Sequence, residues 1–273
     1  MTDKNQSFSG CGVIVTGAGS GIGQATALQF ASAGANVFAT DINADGVGET
    51  ASLGSSASGT IHTGVHDISS RAACYEVIAA AKDALGDFSV LCNVAGISWA
   101  EHATEITEEM WDKMIAVNLS SVFWLSQAAL PHLLPQAGAP DYEKGENPGD
   151  DGSIGPSIIN VASNAGLRGQ AFTIPYCAAK GGVVLLTRSF AMEFVKTGLR
   201  VNAVAPGGIS SALSMNFQMP TGETDFSLMQ PYIGFRGMGQ PGDIADAILF
   251  LASNQARRIH GAILSVDAGL TSG

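Results

Sequence analysis

Short apolar, β-branched runs alternate along this chain with longer stretches of helical periodicity, and this alternation constrains the fold most strongly. The runs predict strands at 11–16, 36–40, 60–65, 88–93, 157–162, 199–204 and 262–266. Helical patterns lie near 22–33, 69–85, 104–116, 118–134, 174–196 and 241–253. Buried strands separated by helices are typical of βαβ units with right-handed crossovers. The sequence therefore predicts an α/β fold, a doubly wound parallel sheet flanked by helices on both faces.

The length and composition favour one domain over 1–273, because 273 residues that are 46% hydrophobic can form one large core. The net charge of −11 and the lack of a basic stripe argue against a nucleic-acid partner. The N-terminus has no apolar signal core, and no apolar run reaches the ~18 residues of a membrane span. We therefore expect a cytoplasmic protein with no membrane partner.

The four cysteines, Cys11, Cys74, Cys92 and Cys177, lack the paired spacing of metal ligands. Cys92 lies in an apolar run, where a free cysteine is typically a small buried hydrophobic residue. We expect no metal site, and reduced thiols as in an intracellular compartment.

Two segments interrupt the alternation of strands and helices. Residues 136–156 are rich in Gly, Pro and Asp, which predicts an acidic loop insertion before the strand at 157–162. A passive surface loop is the favoured interpretation, and a place near the site or at a subunit contact is the alternative. Residues 207–238 form a second long connection, rich in Met and aromatic residues, and such connections are often functional.

A glycine-rich run, Thr16-Gly-Ala-Gly-Ser-Gly-Ile-Gly23, joins the first predicted strand to the first predicted helix. Glycines let the backbone approach a pyrophosphate, and a helix N-terminus offers unpaired N–H groups and a positive dipole end. The spacing is not the common G-x-G-x-x-G, so an ordinary glycine-rich turn is the alternative. The position of the run favours a dinucleotide phosphate cradle formed by Gly17, Ser20, Gly21, Ile22 and Gly23.

Asp41 ends the second predicted strand, about twenty residues beyond the glycines. A carboxylate there hydrogen-bonds a ribose 2′-hydroxyl and repels a 2′-phosphate. Neither Ser20 nor Ile42-Asn43 supplies a basic group for such a phosphate, so NAD(H) is favoured over NADP(H). The alternative is that Asp41 caps the segment that follows.

Two further polar residues end predicted strands. Asp67 could meet an adenine ring or, equally well, cap the helix from Ser69. Asn93 precedes the turn at Gly96, which predicts a position that lines a cofactor.

Tyr176 and Lys180 lie four residues apart, so a helix over 174–196 places both side chains on one face. A nearby ammonium favours the phenolate, which lowers the pKa of the tyrosine from its usual value of about 10 and suits it to proton transfer. Ser163 lies upstream of this pair, and Asn118 precedes both.

With these residues in this order, the chain resembles the short-chain dehydrogenase/reductase family from Thr16 to about Gly269. The resemblance covers nearly the whole chain and implies a Rossmann-like fold with a hydride-transfer site. Each motif is weak alone, whereas the ordered set is highly specific. The matching elements are Thr16 to Gly23, Asp41, Asp67, Asn93-Val-Ala-Gly96, Asn118, Ser163, Tyr176-x-x-x-Lys180 and Pro206-Gly207.

The resemblance also implies the catalytic roles. Tyr176 would exchange a proton with the substrate oxygen, and Lys180 would hold the nicotinamide ribose and lower the pKa of Tyr176. Ser163 would hydrogen-bond the substrate oxygen, and Asn118 would hold a water that links Lys180 to solvent. The residues implied to bind the cofactor are Gly17, Ser20, Gly21, Ile22, Gly23, Asp41, Asp67, Ile68, Asn93, Ala95, Gly96, Tyr176, Lys180, Pro206, Gly207, Ile209 and Ser211.

The chain departs from the family pattern at three places. Val94 replaces the second Asn of Asn-Asn-Ala-Gly, and Ser211 stands where a Thr often holds the nicotinamide carboxamide. A hydroxyl remains at Ser211, so we expect cofactor orientation to be kept. Val266-Asp-Ala-Gly269 replaces the usual Asp-Gly-Gly.

The segment 207–238 corresponds to the family's substrate lid, and its Met and aromatic content favours an apolar pocket. The alternative is that these side chains only pack the lid down. The side chains expected to add apolar surface beside the site, or to line the cleft, are Leu167, Phe172, Ile174, Trp99 and His102, of which His102 fits a polar rim better than a second acid/base.

The sequence thus predicts an NAD(H)-dependent oxidoreductase that interconverts a moderately apolar secondary alcohol and its ketone. An NADPH-dependent carbonyl reductase of biosynthesis and a catalytically silent dinucleotide-sensing protein are the alternatives. The expected partners are a small-molecule alcohol or ketone and further copies of the chain, with a tetramer favoured over a dimer.

Overall fold

The computed structural model describes residues 8–146, 152–232 and 236–272. In this part of the chain, seven strands form one parallel sheet, in the spatial order third, second, first, fourth, fifth, sixth and seventh. The strands are β1 (Gly12–Thr16), β2 (Asn36–Asp41), β3 (Thr60–Val65), β4 (Val90–Asn93), β5 (Ser157–Val161), β6 (Arg200–Pro206) and β7 (Ile263–Val266). All seven overlap the runs from which the sequence predicts strands.

Helices cover both faces of this sheet. They are α1 (Gly21–Ser32), α2 (Ala44–Leu53), α3 (Arg71–Leu85), α4 (Glu108–Ile115), α5 (Ser121–Ala137), α6 (Ile174–Glu193), α7 (Ala212–Met215) and α8 (Pro241–Ala252). A π-helical turn, Ala116–Ser120, joins α4 to α5 without a break. The prediction of a Rossmann-like doubly wound sheet is confirmed.

Helix α2 is missing from the sequence prediction. Its sequence, ADGVGETASL, contains two glycines and little apolar periodicity, so propensity and pattern both hide it. The side chain of Asn43 caps it by accepting a hydrogen bond from the Gly46 N–H at 3.2 Å. The capping residue was therefore the available signal.

The alternation of side chains along β1 shows why the strands read as continuous apolar runs. Val13 and Val15 pack into a buried cluster with Phe30 of α1, and Ile14 between them packs into a second cluster with Leu125 of α5. Successive strand residues point to opposite faces, and helices cover both faces. Every position of the strand is therefore buried.

The strand order reverses between β1 and β4, since the chain runs outward from β1 to β3 and then returns to β4 on the other side. At such a reversal the loops that follow the two strands diverge to opposite faces, which opens a crevice at their carboxyl ends. The strand order alone therefore predicts that the site lies at the carboxyl ends of β1 and β4.

The described part of the acidic insertion lies at the opposite, amino end of the sheet. The Pro156 carbonyl accepts a hydrogen bond from the Arg200 N–H, where β6 begins. The Tyr142 hydroxyl donates to the Thr197 carbonyl at 3.0 Å, and the Arg258 guanidinium lies 5.3 Å from the Tyr142 ring centroid. The alternative of a place near the site is therefore wrong for these residues, whereas 147–151 lie outside the described residues.

The stretch Glu108–Ala137 is the one described segment long and apolar enough, by length and composition, to cross a membrane. Its 18-residue window has a mean hydropathy of 1.2, and 44% of that window is buried inside the protein. A core helix passes the same test, so this segment is weak evidence for a membrane span.

The hydrogen bonds of His260 predict that the free energy of unfolding falls at acidic pH. Its Nδ1 accepts the Val201 N–H at 3.2 Å and its Nε2–H donates to the Ala191 carbonyl at 2.7 Å, so only the neutral ring satisfies both bonds. Burial, the larger effect, lowers the pKa of His260 below 6.5. The unfolded chain therefore takes up the proton first, and the free energy of unfolding falls as pH drops below 6.5.

We expect this decrease between pH 7.5 and 5 to be shallower in His260→Gln, measured by urea unfolding across that range. The exposed His62 supplies a matched control in His62→Gln, which should keep the wild-type slope. Equal slopes in wild type and His260→Gln would contradict the assignment.

Candidate active site

A cleft of about 1630 Å³ opens at the carboxyl ends of the strands. It brings together all but one of the side chains and backbone segments that the sequence predicts for the site. The cleft is lined by Gly17, Ser20, Gly21, Ile22, Gly23, Asp41, Asp67, Ile68, Ala95, Gly96, Asn118, Ser163, Tyr176, Lys180, Pro206, Gly207, Ile209 and Ser211.

The glycine-rich turn between β1 and α1 is built for close approach. Gly17 has a φ of +69°, and a Cβ there would lie 2.7 Å from the Ala95 Cα. A Cβ on Gly23 would collide with the Gly17 carbonyl oxygen. Helix α1 begins at Gly21 and has no acidic residue in its first turn. The exposed N–H groups and the positive helix end therefore fit a pyrophosphate.

Thr16 is a site residue whose role the sequence reasoning missed. Its buried hydroxyl accepts hydrogen bonds from the Val94 N–H at 3.0 Å and the Ala95 N–H at 3.2 Å. The bonds join the end of β1 to the chain that leaves β4. A hydroxyl at the last position of a strand before the glycine turn was the available signal.

Asp41 lies beside the cradle with its carboxylate fixed. Its Oδ2 accepts the Gly19 N–H at 3.0 Å, and its Oδ1 accepts the Asn43 N–H at 2.9 Å. The N-cap of α2 is Asn43, so the alternative in which Asp41 caps the helix is wrong. Each carboxylate oxygen keeps a lone pair, which fits a ribose hydroxyl and repels a phosphate.

Of the two polar residues predicted at strand ends, Asp67 lines the cleft and Asn93 does not. Asp67 is exposed on the cleft, and its Oδ1 accepts the Ser69 N–H at 3.0 Å, while Ser70 is the N-cap of α3. Asn93 does not line the cleft, so its predicted role as a cofactor-lining side chain is corrected. Its buried Nδ2 donates to the Asn160 Oδ1 at 2.9 Å, which ties β4 to β5.

Tyr176 and Lys180 lie on one face of α6, as their spacing predicts. The Lys180 Nζ is 5.8 Å from the Tyr176 ring centroid and donates to the Val161 carbonyl at 2.8 Å. Lys180 is only 3% exposed, and this burial lowers its pKa from 10.5 to about 8. The ammonium is thus held at the end of β5, close to the phenol ring of Tyr176.

The pKa of Tyr176 departs from the sequence prediction. Burial raises it above its usual value of 10, and this effect exceeds the lowering by the hydrogen bond with Ser163. The sequence predicts a lowered pKa from Lys180, but burial of the phenol in the protein outweighs that effect and favours its neutral form.

Asn118 lies in the π-helical turn between α4 and α5, and it is fully buried. Its Nδ2 donates to the Ile97 carbonyl at 3.0 Å, and its Oδ1 accepts the Ile97 N–H at 3.2 Å. A Cβ on Gly96 would lie 2.7 Å from the Asn118 Oδ1 and 3.6 Å from the Lys180 Nζ. The glycine therefore leaves room for both groups beside it, and π-helical turns are frequent at functional sites.

The segment after β6 closes the cleft from the other side. A Cβ on Gly21 would lie 3.2 Å from the Ser211 Cβ, so Ser211 reaches the cradle. Leu213 and Phe217 line the cleft, whereas Met215 is 81% exposed. The other exposed apolar side chains of this segment are Met219, Phe226, Leu228 and Met238, and Phe235 lies outside the described residues. The apolar lid therefore faces solvent more than the sequence predicts.

The apolar side chains expected beside the site do not line the cleft. Leu167 and Ile174 are exposed. His102 packs edge-on against Phe172 at 5.2 Å, and its Nε2 lies 3.1 Å from the Thr224 Oγ1. His102 thus holds the lid segment, which agrees with a rim residue. Neither Trp99 nor His102, the two side chains expected to line the cleft, belongs to its lining.

Comparisons with known proteins agree with this geometry. Residues 12–221 match the family described as short chain dehydrogenase. A 3-oxoacyl-[acyl-carrier-protein] reductase of Thermotoga maritima is 33% identical over 94% of this chain and 96% of its own.

Two solved structures are similar in fold over nearly their whole length. A 3-ketoacyl-(acyl-carrier-protein) reductase from Brucella melitensis, complexed with NADH, has a TM-score of 0.80 at 29% identity and covers 97% of this chain and 100% of its own. A 2-deoxy-d-gluconate 3-dehydrogenase from Agrobacterium tumefaciens, so described provisionally and with bound NADP, has a TM-score of 0.80 at 32% identity and covers 99% and 100%.

The buried charge of Lys180, which the site needs, should lower the free energy of unfolding. Because its pKa is about 8 in the folded protein and 10.5 in the unfolded chain, the buried charge lowers stability at pH 7 by up to about 3 kcal/mol. This penalty is relieved as pH rises from about 8 to about 10.5. We therefore expect Lys180→Met to gain more Tm relative to wild type at pH 7 than at pH 10, measured by differential scanning fluorimetry.

The exposed Lys196 supplies the matched control, since Lys196→Met should show the same difference from wild type at both pH values. A Lys180→Met difference that is independent of pH would contradict the buried-charge account.

Proposed function

The chain belongs to the short-chain dehydrogenases, a family of oxidoreductases that bind a nicotinamide dinucleotide, and we propose that it is an NAD(H)-dependent member. In this proposal the protein interconverts a moderately apolar secondary alcohol and its ketone. The observation that carries it is the meeting of Ser163, Tyr176 and Lys180 in one cleft with the glycine cradle and the Asp41 carboxylate.

The preference for NAD(H) rests on Asp41. Its two oxygens are anchored by the Gly19 and Asn43 N–H groups, so the negative charge cannot turn away from the cleft. A 2′-phosphate would face this charge, and neither Ser20 nor Ile42 on the cleft wall offers a balancing base. Structures similar to this one carry either NADH or NADP, so the cofactor preference has to be inferred from the residues of this chain.

The protein's own groups would perform the proton half of the reaction. A bound nicotinamide ring supplies or accepts the hydride. The Tyr176 hydroxyl would give its proton to a ketone oxygen or, as phenolate, take one from an alcohol. Ser163 would donate to the same oxygen and stabilise the charge that develops there. The positive charges of Lys180 and of an oxidised ring would both lower the pKa of Tyr176, which burial alone raises.

Asn118 and Lys180 would complete the proton path. The Asn118 side chain holds Ile97 in place, and its Oδ1 lies beside Gly96 together with the Lys180 Nζ. We propose that this arrangement holds a water next to Lys180, so that protons leave toward solvent. Without it, the proton taken by Tyr176 would stay in the buried site.

The charges of the cleft support a neutral substrate. The described lining residues include two lysines and no arginine, and one of them, Lys180, is held by the Val161 carbonyl. Five acidic side chains share the same lining, namely Asp41, Asp67, Glu108, Glu109 and Asp112. A carboxylate or phosphate on the substrate would meet net negative charge, so a neutral alcohol or ketone fits best.

A second candidate is an NADPH-dependent carbonyl reductase of biosynthesis, which the likeness to a 3-oxoacyl-[acyl-carrier-protein] reductase and to a structure with bound NADP favours. Asp41 and the acidic cleft argue against it. A catalytically silent dinucleotide sensor is disfavoured, because such a protein has no need of Asn118, Ser163, Tyr176 and Lys180 together.

We also propose that the protein is a cytoplasmic homo-oligomer, a tetramer in preference to a dimer. Leu185 and Met192 of α6 are 65% and 72% exposed, which supports an interface on that helix. The described cysteines are free thiols, which supports a reducing compartment.

Tyr176→Phe tests the reaction. We expect kcat for a secondary alcohol with NAD⁺ to fall by about 10²- to 10⁴-fold, because the proton acceptor is gone. The NADH dissociation constant, from fluorescence titration, should change less than about threefold because the ring remains. Tyr142→Phe, at the other end of the sheet, is the matched control and should keep turnover. Turnover retained in Tyr176→Phe would refute the proton-transfer role.

Asp41→Asn tests the cofactor. We expect the ratio of NADH to NADPH affinity to fall at least about tenfold, mainly through tighter NADPH binding, because the repulsive charge is removed. Titration of both cofactors measures the ratio, and the exposed Asp45 supplies the charge-matched control Asp45→Asn. An unchanged ratio would remove Asp41 from the specificity argument.

A further inference from the structure

A hydrogen-bonded pair of amides lies directly behind Ser163, and neither amide belongs to the site that the sequence predicts. The Ser163 hydroxyl donates to the Asn164 Oδ1 at 3.1 Å. The Gln170 Nε2 donates to the same Asn164 oxygen, also at 3.1 Å. Asn164 is 6% exposed, and both amides border the cleft. One oxygen thus serves two donors, one from each side.

The pair fixes the direction in which the Ser163 hydroxyl points. A hydroxyl has one proton and two lone pairs. The Ser163 proton is given to Asn164, and one lone pair accepts the Ala165 N–H at 3.1 Å. Tyr176 lines the same cleft as Ser163. A Ser163 bond to the Tyr176 phenolate, which lowers the pKa of Tyr176, therefore has to compete with Asn164 for the one serine proton.

Gln170 determines which end of the Asn164 amide faces Ser163. An Asn side chain that turns over would present its NH₂ group, and the serine would then have to accept there. Because Gln170 offers its own N–H, the Asn164 oxygen is held between two donors. The Thr173 hydroxyl in turn donates to the Gln170 carbonyl at 3.2 Å, which anchors the loop that carries Gln170.

We propose that Asn164 and Gln170 are positioning residues that hold the Ser163 proton away from Tyr176 until a substrate oxygen arrives. This inference rests on the proposed function of Ser163 and Tyr176. Without substrate, the arrangement keeps Tyr176 a neutral phenol, ready to donate. When a substrate oxygen binds beside Ser163, the serine proton turns from Asn164 to that oxygen. Removing the Asn164 acceptor frees Ser163 to donate to the phenolate at all times.

The test follows the pKa of Tyr176 directly in the protein without cofactor or substrate. The chain has four tyrosines, so ¹³Cζ-tyrosine labelling gives few signals, and Tyr176→Phe identifies the one of interest. Lys180 and Cys177 are ionisable neighbours on α6. The loop that carries Ser163 adds Arg168, whose guanidinium donates to the Leu270 carbonyl, and these groups are the same in every variant. The carboxylates on α4 that border the same cleft are Glu108, Glu109 and Asp112.

We expect Asn164→Leu to lower the pKa of Tyr176 by about one unit, since one hydrogen bond to the phenolate is gained. Gln170→Leu should lower it by a smaller amount, because Asn164 can then turn over. Asn164→Asp keeps the acceptor and adds a negative charge, so it should raise the pKa. The three variants together separate proton positioning from a loss of packing, which has no reason to give shifts of opposite sign.

A pKa unchanged within 0.3 units in Asn164→Leu and Gln170→Leu would overturn the proposal. A raised pKa in Asn164→Leu would overturn it too, because Asn164 would then be presenting its NH₂ group to Ser163. If Asn164→Leu fails to fold, Gln170→Leu and the isosteric Asn164→Asp still decide. The titration needs no turnover, so a missing dehydrogenase activity would refute the proposed function and leave this result readable.

Discussion

The close contact between the end of β1 and the chain leaving β4 is the constraint on which the site depends. Thr16 accepts the Val94 and Ala95 N–H groups, and Gly17 approaches Ala95 so closely that no side chain fits between them. This contact fixes the cradle for the cofactor on one side. On the other side it fixes Gly96, beside which the Asn118 Oδ1 and the Lys180 Nζ both lie. Cofactor cradle and proton-transfer groups are therefore held by one backbone junction.

The site keeps two ionisable groups in an unfavourable environment. Burial lowers the pKa of Lys180 to about 8 and raises that of Tyr176 above 10, so each effect disfavours the charged form. Such perturbed pKa values are typical of functional sites. The positive charge of an oxidised nicotinamide would favour the phenolate only when the cofactor is bound. Burial of these two groups therefore lowers the stability of the fold. In return, Tyr176 becomes a proton acceptor when the oxidised cofactor binds.

The sequence predicts the sheet and most of the site because both depend on local patterns. The apolar runs predict all seven strands, and the spacing of Tyr176 and Lys180 predicts their common face. It misses α2, whose glycines hide the helix, and it misplaces Asn93, because strand ends do not reveal which way a side chain turns. The sign of the Tyr176 pKa depends on burial by distant segments, which no local pattern contains.

The most direct test of the account is the transfer of deuterium from a secondary alcohol to NAD⁺. A neutral alcohol such as 1-phenylethanol, deuterated at its carbinol carbon, is incubated with the protein and NAD⁺, and the reduced cofactor is analysed by mass spectrometry. The account requires one deuterium per NADH formed, and none when only the hydroxyl is deuterated, because the hydride and the proton leave by different paths. NADH that forms without the carbon-bound deuterium, or no NADH from any neutral secondary alcohol, would contradict it.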